Sequence, residues 1–334
     1  MDDRNERYHS LENRMHPLVR GEYAIFTPPM LETINWIIEW IDSKASGGYV
    51  VGFSRFGKSR FARFCVSNLI AEHYRGAIPV FVHIFQGHKL FSEPTFLLEL
   101  LKSSNHIYTQ RNRANVLFDR LSRHYATMAG NAGGNQIVLI IDEAQGMSPQ
   151  DYRLICNLEN ELDRLGFRLT VISVASHEMN YNHETMVNAG HIHLNGRYFV
   201  RHCRFRGITN INELATVLRA FDSQLIWPED SKTSYTRFFF PYSFEENFRF
   251  ENCAKTMWKC YERWGYKHAK FALEVPMEHI AKAIEFLCRN VSDSTVLSEG
   301  MIDKKIEEAI ESTEYEAHMA AISVALGGKR RGLG

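Results

Sequence analysis

The sequence predicts an α/β fold, a parallel sheet flanked by helices with a C-terminal helical lid, on three observations. Gly52-Phe53-Ser54-Arg55-Phe56-Gly57-Lys58-Ser59 joins a short β-type run, Gly48-Tyr49-Val50-Val51, to a segment of helical periodicity from Arg60 to Tyr74. Ile137-Val138-Leu139-Ile140-Ile141 is a buried-strand pattern that ends in Asp142-Glu143. From Asn210 onward the pattern turns helical, with Leu214, Val217 and Leu218 on one face. The expected organisation is an N-terminal arm over 1–30, an α/β core over 31–208, a lid with an aromatic insertion over 209–290, and a terminal helix with a basic tail over 291–334.

The bulk properties leave the function to local features. The 334 residues are 45% hydrophobic and 23% charged, ordinary for a globular chain and enough for one large domain or two moderate ones. Thirty-nine basic side chains balance thirty-nine acidic ones, so no global field drives the protein onto nucleic acid or membrane. The six cysteines contain no C-x-x-C pair and read as reduced core residues. The first seven residues are polar, and no run approaches the length needed to cross a bilayer. A soluble, cytoplasmic protein with no membrane partner is therefore expected.

Taken in order, the arm ends in Thr27-Pro28-Pro29, where the prolines stop an extended segment and Thr27 is placed to cap the next helix. Leu31, Ile34, Ile37, Ile38 and Ile41 then recur at helical spacing, with Trp36 and Trp40 on the flank. Tyr23, Ile25 and Phe26 are candidates to cover an adenine, or plain packing residues. In the segment after Arg60, Phe61, Cys65 and Leu69 share a face. Pro79 to Phe85 reads as a strand and Glu93 to Leu101 as a helix. That strand falls between the Gly52 strand and the acidic strand, so the two are not consecutive in the chain. Glu159 to Leu165 closes a short helix, and Phe167 to Ala175 is a further buried strand. The aromatic insertion spans Trp227 to Phe250; Ala254 to Trp264, Met277 to Arg289 and a segment near Asp303 to Leu326 are helical.

The stretch Gly52–Ser59 fits G-x-x-x-x-G-K-[ST] at every specified position, the phosphate-binding loop of an ATPase. Glycines let the backbone turn its N–H groups of Gly52, Phe53, Ser54, Arg55, Phe56, Gly57, Lys58, Ser59 and Arg60 toward phosphates at a helix N-terminus. Lys58 reaches the β/γ oxygens of ATP and Ser59 the Mg2+ ion. Asp142 holds the same ion through water, and Glu143 is placed to polarise the attacking water. Ser176, at the end of the 167–175 strand, is the first candidate for a group sensing the γ-phosphate. His177 is second, and a serine that only caps the next turn is the plain alternative.

Two arginine-rich segments remain. In residues 102–124, Lys102, Arg111, Arg113, Arg120 and Arg123 stand against the single acid Asp119. Asn105, Tyr108, Thr109, Gln110 and Asn112 interleave with them, a pattern suited to nucleic-acid phosphates and equally to a solvated helix face. In 196–207, arginines stand just before and inside an expected fifth strand, where Arg197, then Arg201, would reach a neighbouring subunit's ATP, or would pair with a local acid. Lys255, Lys259, Arg263, Lys267 and Lys270 make the middle of the lid cationic, and residues 329–331 place a basic run in a glycine-flanked tail suited to docking a partner. The spacing of His191, His193, His202 and Cys203 fits no compact zinc module.

Taken together, Thr27-Pro28-Pro29, the phosphate loop, Ile140-Ile141-Asp142-Glu143-Ala144-Gln145, Ser176-His177-Glu178-Met179 and Gly196-Arg197-Tyr198-Phe199 leading to Phe205-Arg206-Gly207-Ile208 resemble the TnsC-type AAA+ transposition regulators of CRISPR-associated, Tn7-like transposons. The resemblance runs over about residues 20 to 290. It implies an ATP-dependent homo-oligomer, a ring or filament on duplex DNA, recruited by a target-selection complex with a CRISPR effector adaptor and passing its site to transposase subunits. It carries catalytic roles onto Lys58, Ser59, Asp142, Glu143, Ser176 and Arg197, and favours DNA contact by Lys102, Arg111 and Arg113. The lid departs from the pattern, since no clear second sensor arginine is present beyond Arg249 or Arg263. Another AAA+ enzyme such as a helicase loader, a signalling or defence NTPase, and an ATP-gated scaffold with negligible turnover remain open.

Overall fold

The computed structural model describes residues 15–87, 90–107, 110, 112–177, 179, 190–265, 273–293 and 299–328. The chain divides into two compact units, one of Met30–Phe205 and one of Met1–Pro29 with Arg206–Gly334.

The first unit is built on five parallel strands, β1 (Gly47–Gly52), β2 (Val80–Ile84), β3 (Gln136–Asp142), β4 (Arg168–Ser176) and β5 (His202–Arg204), in the order β2-β3-β4-β1-β5. β1 is buried throughout and β3 at every residue but Gln136, as expected of parallel strands covered by helices on both faces. In space β4 separates the phosphate-loop strand from the acidic strand, whereas β2, which intervenes in the chain, lies on the sheet edge. Register does the rest. Gly52 pairs with Ser176 and Asp142 with Val174, so the ends of β1, β3 and β4 converge on one edge.

Helix α1 (Pro17–Arg20) belongs to the second unit, and α2 (Pro28–Asp42) leads into the sheet. Both prolines lie inside α2 rather than before it, in the first turn, where their missing N–H groups have no helical partner to lose. Its buried face differs from the expected stripe: Trp40 is buried against Gly48, while Leu31 is 47% and Trp36 50% exposed. Helix α3, after the phosphate loop, opens as Lys58–Arg60, widens to a π turn over Phe61–Cys65, and continues as Val66–His73. Helices α4 (Glu93–Ser103) and α5 (Ala114–Asn131) stand between β2 and β3, and Leu97, Leu101, Leu117, Leu121 and Tyr125 enter the sheet core.

Helix α6 (Pro149–Arg164) is longer than the sequence pattern implied, because Ser148 and Asp151 form a reciprocal capping box at its start. Residues 192–198 form a helix, α7 (Ile192–Tyr198), so Arg197 sits in a last helical turn and β5 begins only at His202. His202 stacks on Tyr49 at 5.2 Å.

In the second unit, α8 (Ile211–Ser223), α11 (Ala254–Gly265), α12 (Met277–Asn290), α13 (Glu299–Glu311) and α14 (Tyr315–Gly328) share one apolar core with the short helix α9 (Tyr235–Phe239), which is followed by a second short helix, α10 (Pro241–Glu245). The single terminal helix expected near 303–326 is two, with Glu314 at φ 59° between them. Asp222 organises the aromatic insertion: its buried carboxylate accepts from Thr236 Oγ1 at 2.6 Å and from the backbone N–H groups of Phe250 and Glu251 at 2.9 and 3.0 Å. The arm is part of this packing. Ile25 is in the core, Tyr23 lies 5.8 Å from Phe221, and Phe26 is exposed, so Tyr23 and Ile25 serve as packing residues. His16 is boxed by Trp227, Tyr235, Phe238 and Phe239, and burial lowers its pKa to about 4.

All six cysteines are free and buried. Among the described residues, no helix is long and apolar enough to cross a membrane.

Candidate nucleotide site

The phosphate loop takes its shape from two residues in the left-handed region, Arg55 at φ 66° and Gly57 at φ 105°. A Cβ at Gly52 would lie 2.4 Å from the Phe205 carbonyl oxygen, so the loop can leave β1 at this point only as glycine. Phe53 and Phe56 anchor the loop from below, both buried, their rings 5.8 Å apart, while Ser54 and Arg55 face solvent. Arg60 lies beside the Phe64 ring at 5.5 Å. Gly57 caps the first turn of α3, which leaves the N–H groups of that turn open to an anion.

Lys58 folds back into the loop and its Nζ donates to the Phe53 carbonyl at 2.6 Å. Burial lowers its pKa to about 8, against the opposing pull of Glu143 and Asp142. Phosphates favour the charged ammonium. Nucleotide affinity is therefore expected to fall above about pH 8, as the free protein loses the Lys58 proton, with proton uptake on binding. Calorimetric titrations in buffers of different ionisation enthalpy measure that uptake; its absence above this pH would remove Lys58 as the titrating group.

Facing the loop, Asp142 is 2% exposed at the end of β3. Its Oδ1 accepts from Ser59 Oγ at 3.3 Å and from the Glu143 N–H at 3.1 Å, and its Oδ2 accepts from Arg63 Nε at 2.9 Å. Ser59 and Asp142 thus bring two hard oxygen donors together, the donor type that suits Mg2+ shared with substrate phosphates. The Arg63 guanidinium is a cation already standing at that carboxylate, so the position accepts positive charge.

Glu143 stands at φ 61°, a left-handed conformation that costs a non-glycine residue on the order of 1 kcal/mol. Its Oε2 accepts from Gln145 Nε2 at 2.6 Å, and Gln145 Oε1 in turn accepts from the Ser176 N–H at 3.0 Å. One glutamine therefore ties the acid after β3 to the end of β4. Arg63 and Gln145 are the two site residues to which the sequence pattern assigned no role. The spacing of Arg63, four residues after Ser59 on one helical face, was the available signal.

The other candidates lie elsewhere. Arg197 donates to Glu159 Oε2 at 3.1 Å and Asn160 Oδ1 at 3.0 Å, and Glu159 also takes Tyr198 and Ser46, so Arg197 is held within its own chain. Arg201 is exposed, with no ion-pair partner among the described residues. Lys102 ends α4 and Arg113 precedes α5; Arg111 lies outside the described residues. In the lid, Arg249 lies 3.4 Å over the Phe244 ring and donates to backbone carbonyls, and Arg263 pairs with Glu307 at 3.0 Å. Lys267, Lys270 and the basic tail lie outside the described residues.

A phosphate loop, a buried aspartate facing its serine, and a glutamate beyond it, on a sheet of order β2-β3-β4-β1-β5, make up the AAA+ P-loop NTPase fold. Residues 41–179 match the family model described as "AAA domain". The structure is similar to the ORC2 protein of Aeropyrum pernix in ADPNP-ADP complexes, at 15% identity and TM-score 0.55, over 85% of this chain and 69% of that one. It is also similar to CDC6P from Pyrobaculum aerophilum (14% identity, TM-score 0.50, 79% of this chain and 62% of that). A third likeness is to Drosophila ORC bound to DNA (14%, TM-score 0.51, 88% and 66%). At these identities the likeness is one of fold. No curated protein matches the sequence.

Proposed function

We propose that the chain is an ATP-dependent regulator that assembles as a homo-oligomeric ring or filament on duplex DNA and links a target-selection complex to a transposase. The DNA role is supported chiefly by Lys102 and Arg113, which are exposed at the α4–α5 connection and have no ion-pair partner among the described residues. Neighbouring Arg123, by contrast, is paired with Asp119 at 2.9 Å. Unpaired cations are free to take phosphates, and the transposition role rests on the motif resemblance to the TnsC-type regulators.

In this reading Ser59 and Asp142 would hold Mg2+, which would supply charge neutralisation for the phosphates of ATP. Lys58 exchanges the Phe53 carbonyl for a phosphate oxygen. Glu143, steadied by Gln145, orients and accepts a proton from the attacking water. Ser176 faces the same edge of the sheet as the γ-phosphate sensor. Arg197 can serve a neighbouring subunit only by giving up Glu159 and Asn160, and Arg201 is the alternative, exposed and with no ion pair among the described residues to give up.

The net charge of zero fits assembly-dependent binding, because one subunit makes few phosphate contacts and a ring multiplies them. Electron microscopy with duplex DNA, with and without a slowly hydrolysed ATP analogue, is the direct test. Rings or filaments are expected only with nucleotide. In the double variant Lys102→Glu, Arg113→Glu, duplex affinity is expected to fall about equally for all sequences, and the slope of log affinity against log salt to shrink by about 1 per residue. A chain that stays monomeric with duplex and nucleotide would end the DNA-assembly reading and leave the ATPase. The second reading, which the nucleotide site serves equally, is an AAA+ loader that delivers a helicase. Recovery of a helicase rather than a transposase as the bound partner would select it.

A further inference from the structure

We infer that Arg63 is the resident counter-ion of Asp142, holding the metal position in the nucleotide-free protein and competing with the divalent cation for the same carboxylate. This rests on the reading of Ser59 and Asp142 as metal ligands. Asp142 is almost wholly buried, and a buried carboxylate without a cation is unfavourable, so the site needs positive charge whether or not nucleotide is bound. Lys58 is turned to the Phe53 carbonyl at 2.6 Å, whereas Arg63 Nε meets Asp142 Oδ2 at 2.9 Å.

Its origin is in α3. Ser59 and Arg63 are four apart on one face, and both point at the end of β3. Arg63 lies in the middle of the π turn Phe61–Cys65, a feature that recurs where a helix serves a site. The Arg63 side chain is 38% exposed, so it has a path outward into solvent when a hydrated metal arrives. A guanidinium and a divalent cation at one carboxylate repel each other, so occupancy by one weakens the other. Metal entry is thereby tied to the nucleotide, whose phosphates supply the negative charge that lets both cations be accommodated or Arg63 withdraw.

The test is Mn2+ binding, followed by the electron paramagnetic resonance of the free ion, for the native chain, Arg63→Gln, Arg63→Lys and Asp142→Asn, without nucleotide and with a non-hydrolysable ATP analogue. Arg63→Gln keeps a hydrogen-bond donor and removes the charge. Without nucleotide it is expected to bind Mn2+ about tenfold more tightly than the native chain, the worth of one charge-assisted hydrogen bond at a part-exposed cation. Arg63→Lys is expected to stay near the native value, and with the analogue the difference should shrink. A gain in affinity cannot come from misfolding. Equal or weaker binding by Arg63→Gln overturns the competition. If instead Asp142→Asn binds Mn2+ with the analogue as tightly as the native chain, Asp142 is not a ligand, and the metal-site reading falls first.

Discussion

Glu143→Gln is expected to bind nucleotide as the native chain does and to turn it over ~10²–10⁴-fold more slowly, the range for loss of a general base. Glu143 is exposed at the mouth of the site, one residue beyond the buried Asp142, and two contacts fix it. Asp142 Oδ1 accepts its N–H at 3.1 Å, and Gln145 holds its carboxylate at 2.6 Å. Glutamine has the same length and branching, so the left-handed backbone and the neighbouring phosphate loop are left undisturbed while the proton acceptor is lost. Phosphate release and equilibrium binding of a fluorescent ATP analogue separate the two effects. Turnover within a few-fold of native would mean that another group prepares the water, or that hydrolysis is incidental and the protein is an ATP-gated scaffold. In the proposed role the variant should also trap assemblies on DNA with ordinary ATP.

The sequence made the sheet edge legible and much of its surroundings not, and the difference tracks the range of the interactions. The phosphate loop, β3 and its two acids are local patterns: the motif is complete within eight residues, with Gly57 required there by its positive φ, and an aliphatic run ending in acids reads as a strand wherever it lies. The position of β4 between β1 and β3 is decided by crossover connections that no local pattern encodes. The role of Arg63 is not legible locally, because it depends on the end of a strand 79 residues away in the chain. Arg197 precedes an expected strand in the sequence, and whether it meets a neighbouring subunit or a local acid is decided by a helical turn and by Glu159, 38 residues earlier, which holds it. Trp36 and Trp40 flank the same apolar stripe, and only Gly48, which leaves room for a ring, decides that Trp40 goes inside. The arm has no periodicity to read, since its partners are aromatic rings more than 200 positions further on, such as Trp227 and Tyr235 around His16.

Lys58→Ala is expected to weaken nucleotide binding ~100-fold or more, with little change in the melting temperature of the nucleotide-free protein. The two halves have different causes. With nucleotide, truncation deletes the loop's charged donor to the phosphates and leaves only backbone N–H groups and the start of α3. Without nucleotide, two effects oppose each other: burial disfavours the ammonium, which is why its pKa is lowered, while the bond to the Phe53 carbonyl favours it. Removing the side chain relieves the first and forfeits the second. A loop shaped by Arg55 and Gly57 at positive φ does not need Lys58 to stay folded. Titration with a fluorescent nucleotide beside a thermal melt tests both halves at once. Affinity within about threefold of native would show that phosphates are not held by Lys58 and would undo the site as drawn. A collapsed melt would instead assign Lys58 to the fold. In the proposed role, loss of binding alone should also abolish the assemblies on duplex DNA.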